Sequence, residues 1–300
     1  MTIDLVDEKL YIINLLAEKT NSFIKESEIF LGEKKKKMEI TRILPKECIC
    51  KLISLTTPKD ACRSSVVSSA FKELADSDDT WEAFLPSDWQ DLIAQSSSPN
   101  LISMPKRQLY LHLSDHPLLL ANQTMSFSLA KESGKKCYMI GARGLGIAWG
   151  DTPPYWNWVS PRQSRFPQVA ELQYVWWFDV RGALNTVLLS PKTTYEVLFI
   201  FRFGRRRSGF TNKQVNYSLA TQGGMNTIGQ VVLDPPEIGV KHRDDGWMEF
   251  KVGEFFTEDH EQDDDDDGSL SFRVWETDNY YTKNGIFVEG VEFRPRSTNT

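Results

Sequence analysis

The feature that most limits how this chain can fold is a change of hydrophobic period partway along it. In the C-terminal part, apolar residues recur at every second position. Ala170, Leu172, Tyr174, Trp176, Phe178 and Val180 form one such run, and Tyr195, Val197, Phe199, Phe201 and Phe203 a second. Shorter runs follow at Met248, Phe250 and Val252 and at Leu270, Phe272 and Val274. Successive side chains of a strand point to opposite faces, so each run predicts a strand with one buried face. Turn residues separate the runs (Arg181-Gly182, Ser190-Pro191, Asp234-Pro235-Pro236, Asp245-Gly246), which favours an antiparallel sandwich over βα units.

Ahead of residue 86 the period is helical. Ile49, Leu52, Ile53 and Leu55 make one apolar stripe that ends before Thr57-Pro58. Thr57 suits an N-cap, Pro58 the first helical position and Asp60 an acidic first turn, opening a second helix that carries Val66, Val67, Ala70, Phe71 and Leu74. Asp76 to Asp79 break that helix, and Trp81, Phe84 and Leu85 line a third, which ends at Pro86. Three short helices bury little, so a partner is expected to complete their core. Residues 86–108, with Ser96-Ser97-Ser98-Pro99 and Lys106-Arg107, have the composition of a connector. Residues 1–37 are expected to be a partly disordered extension. It holds one short amphipathic stretch (Leu5, Leu10, Ile13, Leu16) and the run Lys34 to Lys37, a candidate nuclear address. The expected division is therefore 1–37, 38–85, 86–108 and 109–296, in an α+β chain that is mainly β.

With 300 residues, 40% of them hydrophobic, there is material for one large core and a smaller module. A net charge of -6 offers no general attraction for nucleic acid or a membrane surface, so neither is expected as a partner. No stretch approaches the roughly 20 apolar residues of a membrane span. The opening segment mixes acidic with apolar residues and lacks the pattern of a secretion leader. Cys48, Cys50, Cys62 and Cys137 form no Cys-x-x-Cys pair and read as reduced thiols, so a cytoplasmic and/or nuclear location is expected.

Two sets of motifs add a resemblance. The segment from Leu44-Pro45 to Leu85 resembles an F-box in its opening Leu-Pro, its apolar stripe, Pro58-Lys59-Asp60, Val67-Ser68-Ser69-Ala70-Phe71 and its closing Trp81. That resemblance implies docking onto a Skp-type adaptor, and through it Cullin, by Leu44, Pro45, Ile49, Leu52 and Val67. Residues 137–296 resemble Nictaba and the phloem protein 2 lectins. The matching blocks are Cys137 to Arg143, Ile147 to Asp151, Tyr155 to Trp158, Ala170 to Leu172, Leu189 to Pro191, Arg243 to Glu249, Gly253 to Phe256, Gly285 to Gly290 and Phe293 to Pro295. The family implies a jelly-roll β-sandwich lectin domain that binds N-acetylglucosamine oligomers and the glycans of glycoproteins. By the same resemblance two tryptophans seven positions apart, Trp149 and Trp156, bind sugar, and Glu276 accepts from sugar hydroxyls. The chemistry agrees: a sugar ring offers a C–H face to an aromatic plane and hydroxyls to a carboxylate. A second acidic position of the family is Ser269 here.

Other chemistries are weaker. Glu171, Asp179 and Glu276 are carboxylates of the type a glycoside hydrolase needs, but nothing in the sequence pairs them. The four histidines show no metal spacing. Asp263, Asp265, Asp267 and Gly268 mimic part of a calcium loop, yet the twelfth position is Val274, so the acidic run reads as solvated and no metal or cofactor is expected. Three readings stay open: a non-catalytic ubiquitin-ligase receptor for glycosylated targets, a receptor whose sandwich binds a protein or peptide without sugar, and a glycoside hydrolase.

Overall fold

The computed structural model describes residues 44–221, 224, 226–258, 268–278 and 280–297. The N-terminal extension, its lysine run and the acidic run 259–267 lie outside the described residues. The chain divides into two compact units, residues 1–84 and 85–300.

The described part of the first unit is helical: α1 (Lys46–Ser54), α2 (Pro58–Ser64), α3 (Ser69–Ala75) and α4 (Asp78–Glu82). The single helix expected after Thr57 is two, because the backbone of Ser68 is extended and its hydroxyl caps a new helix, accepting from Phe71 N at 3.2 Å. Thr57 caps α2 through Asp60 N (3.2 Å), and Ser77 caps α4 through Thr80 N (3.4 Å). These hydroxyls satisfy amides that a helix start leaves without partners. Ile49, Ile53, Ala61, Leu74, Ala75 and Trp81 are buried, and the Trp81 indole N–H donates to Ala75 O at 2.7 Å.

Residues expected as a connector carry structure of their own. Helix α5 (Trp89–Ala94), the turn Pro99–Ser103 and helix α6 (Lys106–Asp115) bury Trp89, Leu92, Ile93, Leu101, Leu109, Tyr110 and Leu113 within the second unit. Their apolar side chains, spaced at helical intervals, are hidden under the Ser and Pro composition that suggests a linker. The Tyr110 hydroxyl is within donating distance of both Ala130 O and Lys131 O, at 3.1 Å each.

Two antiparallel sheets make the rest. The larger runs β1 (Leu118–Leu120), β2 (Met125–Leu129), β3 (Lys136–Gly141), β14 (Asn284–Pro295), β8 (Thr193–Ser208), β12 (Met248–Thr257) and β11 (Val240–His242). To it, β6 (Val169–Leu172) adds on β14 and β5 (Trp156–Val159) on β6. The smaller runs β10 (Asn226–Val232), β9 (Gln214–Thr221), β13 (Ser269–Glu276), β7 (Phe178–Asn185) and β4 (Gly146–Ile147). Their inner faces meet through aromatic pairs such as Phe272 with Phe293 and Tyr217 with Phe250, at 5.8 and 5.6 Å between ring centres. The protein is thus α+β, mainly β, with N-terminal helices and an antiparallel β-sandwich.

The larger sheet is buried on both faces. Leu198 and Ile200 of β8, which the alternation assigns to solvent, pack with Met139, Val169, Phe166 and Trp247 on the outer side. Charged groups border this second core. Glu292 meets Arg165 at 3.0 Å and Arg243 at 2.8 Å, and Glu249 meets Arg243 at 2.9 Å and Arg294 at 2.7 Å. Burial alone would raise the Glu292 carboxyl, but Arg165, Arg243 and Arg294 hold it below its ordinary value. Burial pushes the Cys137 thiol up to about 12, so it stays protonated and packs as a small apolar group.

Candidate functional site

Chain geometry places a group of aromatic rings at the loops where β4 leads to β5, β6 to β7, and β13 to β14. Trp149 has a left-handed backbone (φ 55°), unusual for so bulky a residue and costly by roughly 1–3 kcal/mol. Two other indoles hold it there. Trp156 donates to Ala148 O at 3.1 Å and Trp158 to Gly150 O at 3.0 Å, so the carbonyls on either side of Trp149 are both pinned. The Arg143 guanidinium lies over the Trp158 ring at 3.6 Å and ties Asp151 at 2.9 Å. The result is a Trp149 ring 46% exposed and 6.2 Å from each of Tyr155 and Trp177.

Trp177 comes from the turn 173–177, where the chain leaves one sheet for the other. Gln173 N and Tyr174 N donate to Tyr155 O (2.9 and 3.3 Å), tying this turn to the Trp149 loop. Val175 and Lys283 exchange both backbone hydrogen bonds (3.1 and 2.7 Å), tying it to the loop after β13. Tyr174, Trp176, Trp177, Tyr280 and Tyr281 are all exposed. The alternation of residues 170–180 predicts Tyr174 and Trp176 as core, but β6 stops at Leu172 and β7 begins at Phe178. The adjacent pair Trp176-Trp177 is the signal that the period breaks here.

Below this shelf lies an ion pair. Lys283, fully buried, pairs with Glu276 and donates to Trp176 O at 2.7 Å, Asp278 O at 2.8 Å and Tyr281 O at 3.2 Å. Glu276 also accepts from Asp278 N at 3.0 Å, and Asp278 from Tyr280 N at 2.9 Å.

The residues expected to hold sugar are therefore placed differently from one another. Trp149 is exposed. Trp156 is 4% exposed, packed near Phe178, and offers no open face because its edge is needed to hold the Trp149 loop. Glu276 is buried with both oxygens engaged inside the protein. Ser269 starts β13 opposite Asn185. Of the carboxylates considered for hydrolysis, Asp179 is clamped by Arg273 through two bonds of 2.9 and 2.8 Å, and Glu171 sits on β6 opposite Asn157 and Phe287.

In the helical unit, Pro45 is exposed just ahead of α1, while Leu44 and Leu52 are half-buried. Ile49 is buried in the unit's own core, which takes it out of the outer apolar edge. Val67 is 67% exposed, and Val66, expected only as part of a helical stripe, is 85% exposed beside it in the turn between α2 and α3.

Comparison with known proteins covers both units. Residues 43–83 match the F-box domain and residues 135–295 match phloem protein 2. Among relatives, "F-box protein PP2-B10" of Arabidopsis thaliana is 36% identical over 258 residues, spanning 84% of this chain and 92% of its own. "Putative F-box protein PP2-B12" of the same plant is 40% identical over 256 residues, spanning 84% and 97%. A solved carbohydrate-binding module, TmCBM61 in complex with β-1,4-galactotriose, aligns over 52% of this chain and 91% of its own. Its identity is 11% and its TM-score 0.30, too low to support an argument.

Proposed function

We propose, from the premise that this chain belongs to the F-box proteins of the phloem protein 2 family, that it is the target-recognition subunit of a Skp–Cullin–F-box ubiquitin ligase. In this reading the sandwich binds N-acetylglucosamine-containing glycans of target glycoproteins. F-box domains bind Skp adaptors, and the exposed Val66, Val67 and Pro45 are the residues best suited to that contact. The observation that carries the sugar half is the exposed Trp149 ring flanked by Tyr155 and Trp177. Aromatic faces stack on the C–H faces of sugars, and a shelf held in place before binding loses little entropy on binding. The chain itself contributes recognition, with ubiquitin transfer carried out by the rest of the ligase. Its four free thiols suit a reducing compartment, the cytoplasm and/or nucleus, which a fluorescent fusion would check.

The test pairs an adaptor pull-down with a glycan array. Val67→Asp and the double change Leu44→Ala/Pro45→Ala are expected to lose the adaptor, and Trp149→Ala to lose N-acetylglucosamine oligomers. If the folded chain holds the adaptor but ignores every glycan, the sugar half is overturned. A second reading, a sandwich that binds a protein or peptide without sugar, is favoured by the engagement of Glu276, which leaves that carboxylate closed to a sugar hydroxyl. Equal capture of glycosylated and deglycosylated target would establish it.

A further inference from the structure

We propose that Lys283 and Glu276 are a positioning pair for the aromatic shelf: the caged ammonium orders the loops that carry the rings, and Glu276 acts on the ligand only through Lys283. The inference rests on the shelf being the ligand site, as argued above.

An ammonium removed from water is costly unless it is paired and hydrogen-bonded, so a fully buried lysine marks a place where the surroundings are built for it. Here four oxygens face three N–H groups: the Glu276 carboxylate and the carbonyls of Trp176, Asp278 and Tyr281. Those carbonyls belong to two loops far apart in the chain, so one charge joins the turn at 173–177 to the loop at 277–283. The carbonyl of Trp176 precedes Trp177, the ring that meets Trp149. The chain also keeps space for this side chain. Gly209 lies in the left-handed region (φ 82°), and a Cβ there would come within 2.8 Å of Lys283 Cγ and 2.3 Å of Thr282 O. The carboxylate completes the arrangement. One Glu276 oxygen pairs with Lys283, and the other accepts from Asp278 N, whose own side chain holds the amide of the exposed Tyr280. Charge-assisted hydrogen bonds of this kind are the strong ones. Neither carboxylate oxygen is left to meet a ligand.

The experiment uses the full chain, with chitotriose as probe, in four forms: unchanged, Lys283→Met, Glu276→Gln and both together. Affinity is read by tryptophan fluorescence titration, and loop order by amide hydrogen exchange without sugar. Lys283→Met keeps most of the volume and removes the charge. It is expected to weaken chitotriose binding by roughly tenfold or more and to speed exchange at 173–177 and 277–283, with β8 amides unchanged. The double variant should bind within about twofold of Lys283→Met, because groups that act through one another are not additive. A further loss of several-fold when Glu276→Gln is added to Lys283→Met would mean that the carboxylate touches sugar, and would overturn the proposal. So would unchanged exchange in both loops of Lys283→Met. If the unchanged chain ignores chitotriose, the shelf as a sugar site fails, and the exchange data still decide whether the pair orders the loops. Should Lys283→Met prove unfolded, shown by fast exchange across β8, Glu276→Gln decides: faster exchange in both loops supports the proposal, and unchanged exchange overturns it.

Discussion

An indole has one N–H to give, and Trp156 gives it to the carbonyl that precedes Trp149. Its spacing of seven from Trp149 is legible in the sequence, but its role is not, because whether an aromatic ring stacks on a ligand or holds a loop depends on which side of the sheet it falls. Replacing Trp156 with Phe keeps most of the apolar bulk and removes the donor. The expected cost is about 1–2 kcal/mol in stability together with weaker ligand binding, read by denaturant titration and by the same fluorescence assay. Val66 escaped the motif reading for a related reason: helical spacing places it beside Val67, and only the Ser68 cap shows that both stand in a turn. At the outer face of the larger sheet, Glu292 is held below its ordinary value by three arginines. A carboxyl depressed in the folded state stabilises fully above its unfolded value, 4.5, and that contribution is lost as pH falls through the folded value. Removing one cation with Arg243→Met should therefore move the midpoint of acid unfolding to higher pH, seen by circular dichroism. Near neutral pH the same change should cost about 1.5–3 kcal/mol, since Glu292 and Glu249 each lose one charged partner while keeping Arg165 and Arg294.

Among the elements, strand β8 carries most of the sandwich, pairing with β14 on one side and β12 on the other. Alternation predicts its inner residues as Tyr195, Val197, Phe199, Phe201 and Phe203; the first four are buried and Phe203 is half-buried. The same rule leaves Leu198 and Ile200 outside, yet both are buried beneath Phe166 and Trp247. The continuous run Val197 to Phe201 already carried this information, since a strand covered on both faces has no polar position. Ile200→Ala should accordingly destabilise by about 2–5 kcal/mol, the range for a buried core truncation, measurable by thermal or denaturant unfolding. If Ile200 were solvent-facing, the change would cost close to nothing. Period reading failed most clearly at 173–177, where an uninterrupted alternation conceals a crossover between sheets. Pattern reports the spacing of side chains along a chain, and a change of sheet leaves that spacing intact.

At the scale of the whole molecule, two compact units carry two different surfaces. Their motifs were the most legible part of the sequence, because an F-box and a phloem protein 2 domain are each defined by many ordered positions. Independence is testable in one set of proteins. Val67→Asp should abolish adaptor capture and leave chitotriose affinity within about twofold, Trp149→Ala should do the reverse, and the combined variant should lose both, as expected of sites that share no partner residue. The turn at 173–177 has a mechanical consequence as well. Trp149 stands on a loop that begins at β4 of the smaller sheet and ends at β5 of the larger, while Trp177 leads into β7 of the smaller. A ligand lying across these two rings would close the seam of the sandwich like a clasp, resisting any slide of one sheet against the other. Saturating sugar should then raise the force needed to pull the domain open, not only the temperature at which it melts.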